Sequence, residues 1–345
     1  MTPLRVIDAG TVGALRSQAL WHGITSAMAP DAGPTLALCR PGEAYVSIGY
    51  HRRLEEVDLE LCRAEGLPVL RRRIGGGPVL IDDDQLFFGL TLPVGQAPAG
   101  VDRLYATLLE PAAAAFRALG LDARVDGLND IAVGDRKVSG TGAGQIGDAV
   151  VVVGNIIFRF AHERMARVLA LPDRAMREEY LRLMRRHVSS LEDEGLAGVT
   201  VADATAALRE AYATALGVPI VDAELTEREQ AAVERWEDRL ADEEWTLGPG
   251  HASPARPGRR VKVRSDVFVV HGEREGVRVL ATVVGDQIER ASVGAAHLNG
   301  ASAALERALV GPCVDPRALA ARLADFGGDG RHVLAAVAPG LEARW

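Results

Sequence analysis

The chain has 345 residues, 48% of them apolar and 25% charged, and carries a net charge of −8 at pH 7. That length suggests about two domains with ample core, and the acidic balance argues against non-specific nucleic-acid binding, so any anion site must be a local basic pocket. With no apolar run long enough to span a bilayer and no charged-then-apolar N-terminus, a cytoplasmic protein without a nucleic-acid or membrane partner is expected.

Residues Ala9–Ala27 read as a helix, and Thr35–Cys39 and Tyr45–Ile48 as strands broken by Pro41-Gly42. Leu54, Val57 and Leu61 have helical spacing, and Gly66-Leu67-Pro68 stops that helix before a strand at Val69–Leu70. Past a glycine-rich loop, the alternation of Leu86, Phe88, Leu90 and Leu92 predicts a strand. Leu104, Leu108, Ala115 and Leu119 mark a helix bent at Pro111 and closed by Gly120. Strands follow at Ala123–Val125, Asp130–Val133, Lys137–Thr141 and Ala149–Val153 with Ile156–Phe158, then helices within His162–Leu169, Arg174–His187 and Ala202–Leu216. A charged helix from Glu227 to Glu243 runs into Gly248–Gly258, rich in Gly, Pro and Ala, which reads as a hinge. Beyond it, strands Val261–Val270, Val277–Val284 and Gln287–Ala291 and helices Ala301–Leu309 and Pro316–Asp325 form a small α/β unit without a catalytic constellation. The expected division is a catalytic domain over 1–245, a hinge over 246–258 and an accessory domain over 259–345.

Chemistry concentrates in two blocks. In Leu70-Arg71-Arg72-Arg73-Ile74-Gly75-Gly76-Gly77-Pro78-Val79-Leu80-Ile81-Asp82, three arginines run into three glycines. A triple glycine alone reads as a tight turn, but the basic flank shifts the reading to an anion site. There the main chain approaches a phosphate or carboxylate and guanidinium forks reach it from the side. The spacing is neither a Walker A nor a dinucleotide-binding pattern, and a strand follows the loop. The second block is Asn129-Asp130-Ile131 with Asp135-Arg136-Lys137-Val138-Ser139-Gly140. Of 39 basic residues only Lys137 and Lys262 are lysine. A lysine retained among so many arginines points to a need for a compact ammonium with rotatable donors; Lys262, on a polar strand, reads as a solvated face. Cys39, Cys62 and Cys313 are scattered with no Cys-x-x-Cys and no Cys/His cluster, so no thiolate metal site is expected.

These blocks resemble the lipoate–protein ligase A family of the biotin/lipoate ligase fold. The first is similar to its Arg-Arg-x-x-Gly-Gly-Gly-Ala-Val-x-His-Asp segment and the second to its Asn-Asp…Lys-Ile/Val-Ser-Gly segment, with Lys137 on the family's essential lysine. Weaker likenesses lie at Ser47-Ile48-Gly49-Tyr50, His187-Val188-Ser189-Ser190-Leu191, Trp245-Thr246-Leu247-Gly248 and Leu305–Gly311. The resemblance implies an α/β (α+β) fold, with a mixed β-sheet catalytic domain and a small C-terminal accessory domain.

It also implies ATP-dependent activation of lipoate to lipoyl-AMP, with Mg²⁺, and transfer to a lysine of an acceptor lipoyl domain. The acceptor would be a 2-oxoacid dehydrogenase E2, a glycine-cleavage H protein or a specialised lipoate-binding protein. Lys137 would be the catalytic clamp. ATP and lipoyl-AMP would be bound by Arg71, Arg72, Gly75, Gly76, Gly77, Pro78, Val79, Leu80, Asn129, Asp130, Ser139 and Gly140, with Mg²⁺ near Asn129 or Asp130. Leu86, Val151 and Val153, with Val79, would wall the acyl chain. Ile81 stands where the family commonly has histidine, and Val152-Val153-Gly154-Asn155 where it often has His-His-Gly-Thr, which leaves lipoate and octanoate both open as substrates. Two alternatives stand beside this reading: a cysteine-independent octanoyl/lipoyl transferase and a non-catalytic lipoate- or nucleotide-binding module. A monomer is expected.

Overall fold

The computed structural model describes residues 2–248, 258–295, 297–298, 301–313 and 316–341. They form two compact units, Met1–Ala170 with Val188–Ser253, and Leu171–His187 with Pro254–Trp345.

In the first unit the elements are β1 (Leu4–Val12), α1 (Ala14–Ala27), β2 (Thr35–Pro41), β3 (Tyr45–Ile48), α2 (Leu59–Ala64), β4 (Val69–Arg71), β5 (Val79–Ile81), β6 (Gln85–Pro93), α3 (Val101–Ala118), β7 (Ala123–Asp126), β8 (Asp130–Val133), β9 (Arg136–Gly140), β10 (Gly142–Ile146), β11 (Ala149–Ile157) and α4 (His162–Val168). The chain then leaves through α5 (Arg174–His187), which belongs to the second unit, and returns with α6 (Val201–Leu216), β12 (Ile220–Asp222), α7 (Glu227–Ala241) and α8 (Glu243–Leu247). The main sheet has the order β10-β11-β6-β2-β1-β12. It is mixed, with β1 parallel to both β2 and β12 and the remaining pairs antiparallel. Two three-stranded sheets, β4-β3-β5 and β7-β8-β9, carry the two sequence blocks.

Strand alternation sorts the core. Leu86, Phe88, Leu90 and Leu92 of β6 and Val152 and Ile156 of β11 face α3 and α6, where Leu108, Phe116, Leu208 and Tyr212 complete one cluster. The opposite face of β11 sends Val151 and Val153 to a second cluster with Trp21 of α1, Ile74 of the glycine loop, and Val233 and Trp236 of α7. Helices α1 and α7 meet at Gly23, where a Cβ would fall 2.6 Å from the Val233 Cα.

Several expectations change. The first helix was expected from Ala9, but Leu4–Val12 is a strand, its ladder with β2 shifting register between Asp8 and Thr11; Leu4 and Val6 are buried, and helix α1 starts only after Gly13. The charged helix stops at Asp242, which ends α7 and caps α8 by accepting from the Glu244 N–H. Strands β10 and β12 were not foreseen, nor was the last helix.

The second unit is an antiparallel meander of β13 (Arg259–Arg264), β14 (Val267–Arg274), β15 (Val277–Val284) and β16 (Gln287–Gly294), with β17 (Gly311–Pro312) at its edge. Helices α9 (Ser302–Leu309), α10 (Pro316–Leu323) and α11 (Gly327–Leu341) complete its core, which gathers Val270, Val279, Leu305, Val333 and Val337. The expected single strand Val261–Val270 is a hairpin, because Asp266 takes φ 62 and reverses the chain. Helix α5 also falls in this unit, where Glu179 accepts from the Thr282 hydroxyl and pairs with Arg182 at 2.7 Å. The C-terminal unit therefore takes a segment that the expected division at 245 assigned to the catalytic part. Of the expected hinge, residues 249–257 lie outside the described residues. Among the described residues no helix is long and apolar enough to cross a membrane.

Gly23→Ala drives a methyl group into backbone, which no side-chain rotation relieves. It is expected to cost about 1–3 kcal/mol, read as a lower urea midpoint by tryptophan fluorescence; an unchanged midpoint would contradict the close α1–α7 approach.

Candidate active site

The three arginines of the first block have three separate tasks. Arg71, 1% exposed, turns inward. Its Nη1 donates to the carbonyls of Gly49, Tyr50 and Arg52 at 3.2, 3.0 and 2.7 Å, and its Nε to Thr246 O at 3.1 Å. Arg72 is buried beneath the loop it precedes. Its Nη1 donates to Ser47 O at 2.8 Å, its Nε and Nη2 to Gly75 O at 3.0 and 2.7 Å, and its Nη2 also to Gly77 O at 2.9 Å. Burial lowers the Arg72 guanidinium to about 10, still protonated at neutral pH. Arg73 is exposed and lies over the Tyr50 ring, 4.3 Å from its centroid. The heads of Arg71 and Arg72, expected to reach a phosphate, are thus bonded to main-chain carbonyls. The physical reason is that the loop's carbonyls need donors where water is excluded.

That bracing decides how Gly75–Gly77 present themselves. A trans peptide sets N–H and C=O on opposite sides, so with Gly75 O on Arg72 the Gly76 N–H faces away from the guanidinium. Gly76 takes φ 98, and a Cβ there would fall 2.5 Å from Arg72 Nη2. Gly49 is needed on the other side, since its Cβ would lie 2.1 Å from Gly76 O. Gly75 and Gly76 are exposed and Gly77 and Pro78 half-buried; Val79 is 40% exposed, while Leu80 is buried in β5 and donates its N–H toward Met165 Sδ at 3.1 Å.

In the second block the hairpin β8–β9 turns at Gly134, φ 56. It sets Asp130 and Lys137 side by side, Nζ to Oδ1 2.8 Å; Asp130 is fully buried and the Lys137 side chain 21% exposed. A Cβ at Gly140 would lie 2.9 Å from Lys137 Nζ, so glycine leaves room for the ammonium. Asn129 ties the hairpin to the next strand: its Nδ2 donates to Thr141 O at 2.8 Å, and its carbonyl accepts from the Thr141 N–H and hydroxyl at 3.0 and 2.7 Å. Ser139 is buried and donates toward Asn155 Oδ1 at 3.4 Å. Asn155 Nδ2 in turn donates to Gln85 Oε1 at 2.7 Å, and Gln85 Nε2 to Asp82 Oδ1 at 3.1 Å, giving one polar chain from β9 through β11 and β6 to the end of β5.

The blocks meet through β10, where Cβ atoms at Gly142 and Gly144 would each lie 2.8 Å from Ile74 side-chain atoms. Tyr105 of α3, which sequence reasoning missed, stands between them. Burial raises its phenol; its hydroxyl is hydrogen-bonded to the Ala143 backbone and feels the charges of both Arg72 and Asp130.

His22 was missed as well, and Trp245 was noted only as a weaker likeness without a role. His22 is fully buried, with Nδ1 2.6 Å from Gln18 O and Nε2 accepting from the Arg73 N–H at 3.0 Å. It is stacked on Trp21 with centroids 3.5 Å apart, and Trp236 lies 4.4 Å away. Burial, with help from Arg72, Arg73 and Arg239, lowers it to about 3, so it sits neutral and holds the main chain just before the loop. Trp245 Nε1 donates to Arg71 O at 2.9 Å.

Two expectations about the pocket are corrected. Leu86 lies in the core facing α3 and α6, whereas Val151 and Val153 lie in the cluster with Ile74, so the three do not share one wall; period-2 alternation separates them across the sheet. The expected Mg²⁺ site changes at Asp130: a hard divalent cation needs open oxygens, while the buried Asp130 carboxylate is paired through Oδ1 with Lys137. Asn129 is tied to Thr141 through its Nδ2.

A family model of the lipoyl protein ligase A/B catalytic domain matches residues 15–213. Lipoate-protein ligase A subunit 1 of Thermoplasma acidophilum is 26% identical over 215 residues, which span 59% of this chain and 80% of that protein. Octanoyltransferase LipM of Kyrpidia tusciae is 26% identical over 242 residues, 62% of this chain and 87% of that protein. In structure, the chain superposes on the bipartite lipoate protein ligase of T. acidophilum, solved in a study of that ligase and its E2 lipoyl domain. That match has a TM-score of 0.67 and 25% identity, and covers 72% of this chain and 97% of that one. Fold, site and relatives define a ligase/transferase of protein lipoylation. The family match takes in both blocks and most of the main sheet. The chain belongs to the lipoyl protein ligase A/B catalytic domain family.

The neutral, buried His22 makes stability fall in acid. Its folded-state value is about 3 against an ordinary 6.5. The unfolded chain therefore binds one more proton between those values, and the stabilisation present above pH 6.5 is lost as pH falls toward 3, by about 1.4 kcal/mol per pH unit. His22→Gln should flatten this slope in urea unfolding from pH 6.5 to 4; the same slope in both proteins would remove His22 as its source.

Proposed function

We propose that the protein activates lipoate or octanoate with ATP and passes the acyl group to a lysine of a lipoyl domain. The observation that carries this reading over transfer through a cysteine nucleophile is the state of the thiols. Cys39, Cys62 and Cys313, the three cysteines of the chain, are all buried. Burial pushes Cys39 up to about 12 and Cys62 up to about 11 and raises Cys313. A thiol so disfavoured as thiolate is a poor nucleophile at neutral pH.

In the first step a carboxylate oxygen of the acid attacks the α-phosphorus of ATP, the bond to the β-phosphate oxygen breaks, and pyrophosphate leaves. Charge gathers on the phosphoryl oxygens, where fixed donors lower the barrier most. The Gly76 N–H and the Lys137 ammonium are the donors proposed for that role, held by Arg72 and Asp130 respectively. Mg²⁺ enters as the counter-ion of ATP, part of the substrate. In the second step the acceptor's ε-amine attacks the acyl carbon, the bond to AMP breaks, and the amine loses its proton as the amide forms. The acyl chain would run beside Ile74, Val151 and Val153, which lie buried with Trp21, Val233 and Trp236 in one apolar cluster. The ligase of T. acidophilum, structurally similar to this chain and studied with its E2 lipoyl domain, supports a carrier of that type as acceptor.

Mass spectrometry of the chain incubated with ATP, Mg²⁺ and either acid should show acyl-AMP. No acyl-AMP, together with octanoyl transfer from an octanoylated carrier domain, would replace activation by transfer.

Lys137→Met should lower acyl-AMP formation by about 100-fold or more. It also strands the buried Asp130 carboxylate, at about 3 kcal/mol of stability. Adding Asp130→Asn should restore the stability but not the activity; recovery of both would reduce Lys137 to a structural partner of Asp130.

A further inference from the structure

Three metal-ligand side chains that no step above uses converge in the second unit. His297 follows β16, and Asp329 and His332 lie three residues apart in the first turns of α11. One ligand atom from each lies within 4.8 Å of the other two. His297 Nε2 is 3.9 Å from Asp329 Oδ1, and the two imidazoles meet nearly edge to face with centroids 6.1 Å apart.

His332 is fixed from its far side, with Nε2 3.0 Å from Glu275 Oε2. An N–H donated there leaves the lone pair on Nδ1, and that Nδ1 is shielded from solvent with no hydrogen-bond partner. A bare buried lone pair costs free energy, and a carboxylate holding the other ring nitrogen is the usual support of a metal-bound histidine. Glu275 reaches this position from the β14–β15 turn at φ 51, a backbone conformation unfavourable for a residue with a side chain.

We propose that His297, Asp329 and His332 bind one divalent transition-metal ion of the zinc type, with Glu275 orienting His332. Two imidazoles and one carboxylate suit zinc and its neighbours, whereas Mg²⁺ takes oxygen ligands. Tetrahedral bonds of about 2.1 Å hold ligand atoms about 3.4 Å apart. Rotations of the His297 and Asp329 side chains, 46% and 38% exposed, would bring the ligand atoms, within 4.8 Å of one another, to that spacing. The ion would join the segment after β16 to α11 and, through Glu275, to the β14–β15 turn, a staple for a small unit.

The test uses the full chain, stripped with chelator and titrated with ZnCl₂ by calorimetry and with Co²⁺ by visible absorption. One Zn²⁺ per chain is expected, with tetrahedral-type cobalt bands and a raised unfolding temperature. His297→Ala, exposed and so tolerated by the fold, should weaken zinc binding at least about tenfold, and Glu275→Gln by about tenfold. Excess Mg²⁺ should not compete. An absence of zinc binding, or an unchanged affinity in the His297→Ala/His332→Ala double variant, would overturn the site.

Discussion

The catalytic unit depends on guanidinium groups bonded to main-chain carbonyls. Arg72 holds Ser47 O, Gly75 O and Gly77 O, and Arg71 holds the carbonyls of Gly49, Tyr50, Arg52 and Thr246. Each bond joins an ionised donor to a carbonyl in a buried or part-buried place, which makes it stronger than its solvent-exposed equivalent. The result is a loop whose shape is set before any ligand arrives. His22 adds to this from the other side by accepting the Arg73 N–H. Preorganisation of this kind lowers a barrier because the donors need no rearrangement when charge develops.

The same arrangement redistributes charge. With Arg71 and Arg72 turned to the backbone, Lys137 stays a partly covered cation of the second block, and its partner Asp130 lies fully buried. The pair also joins fold to site: Asp130 is at home in the interior only with Lys137 beside it. Gly142 and Gly144 then let β10 pass against the Ile74 side chain, while Gly140 leaves room for the Lys137 ammonium. Three glycines that look unremarkable in a strand are where a neighbouring side chain must come close to the backbone.

Much of this was legible in the sequence, and the failures are instructive. The rarity of lysine singled out Lys137, and alternation in Leu86–Leu92 gave the central strand. What composition could not say was which way Arg71 and Arg72 point, because an arginine beside a glycine loop serves a phosphate or a carbonyl equally well. Leu86 was grouped with Val151 and Val153 on hydrophobicity alone, although the register that pairs Ile156 with Leu86 decides which face each occupies. His22 and Tyr105 were hidden inside helices, where their neighbours read as ordinary core. Leu4–Val12 was passed over because its Gly10-Thr11-Val12-Gly13 end ran into the helix, and α11 because Gly327, Gly328 and Gly330 resemble a loop. At Gly330 the cause is close packing: a Cβ there would lie 2.0 Å from Leu323 O.

The scarcity of lysine has one more consequence. An acyl-adenylate is a mixed anhydride that reacts with any accessible amine, so in the proposed reaction the enzyme is itself a potential target of what it makes. This chain carries only two ε-amines, and the one at the site is held at 2.8 Å against a carboxylate. Arginine supplies its other side-chain cations without offering a nucleophile at neutral pH. A surface so composed resists self-acylation, and the activated group is left to the amine that an acceptor brings.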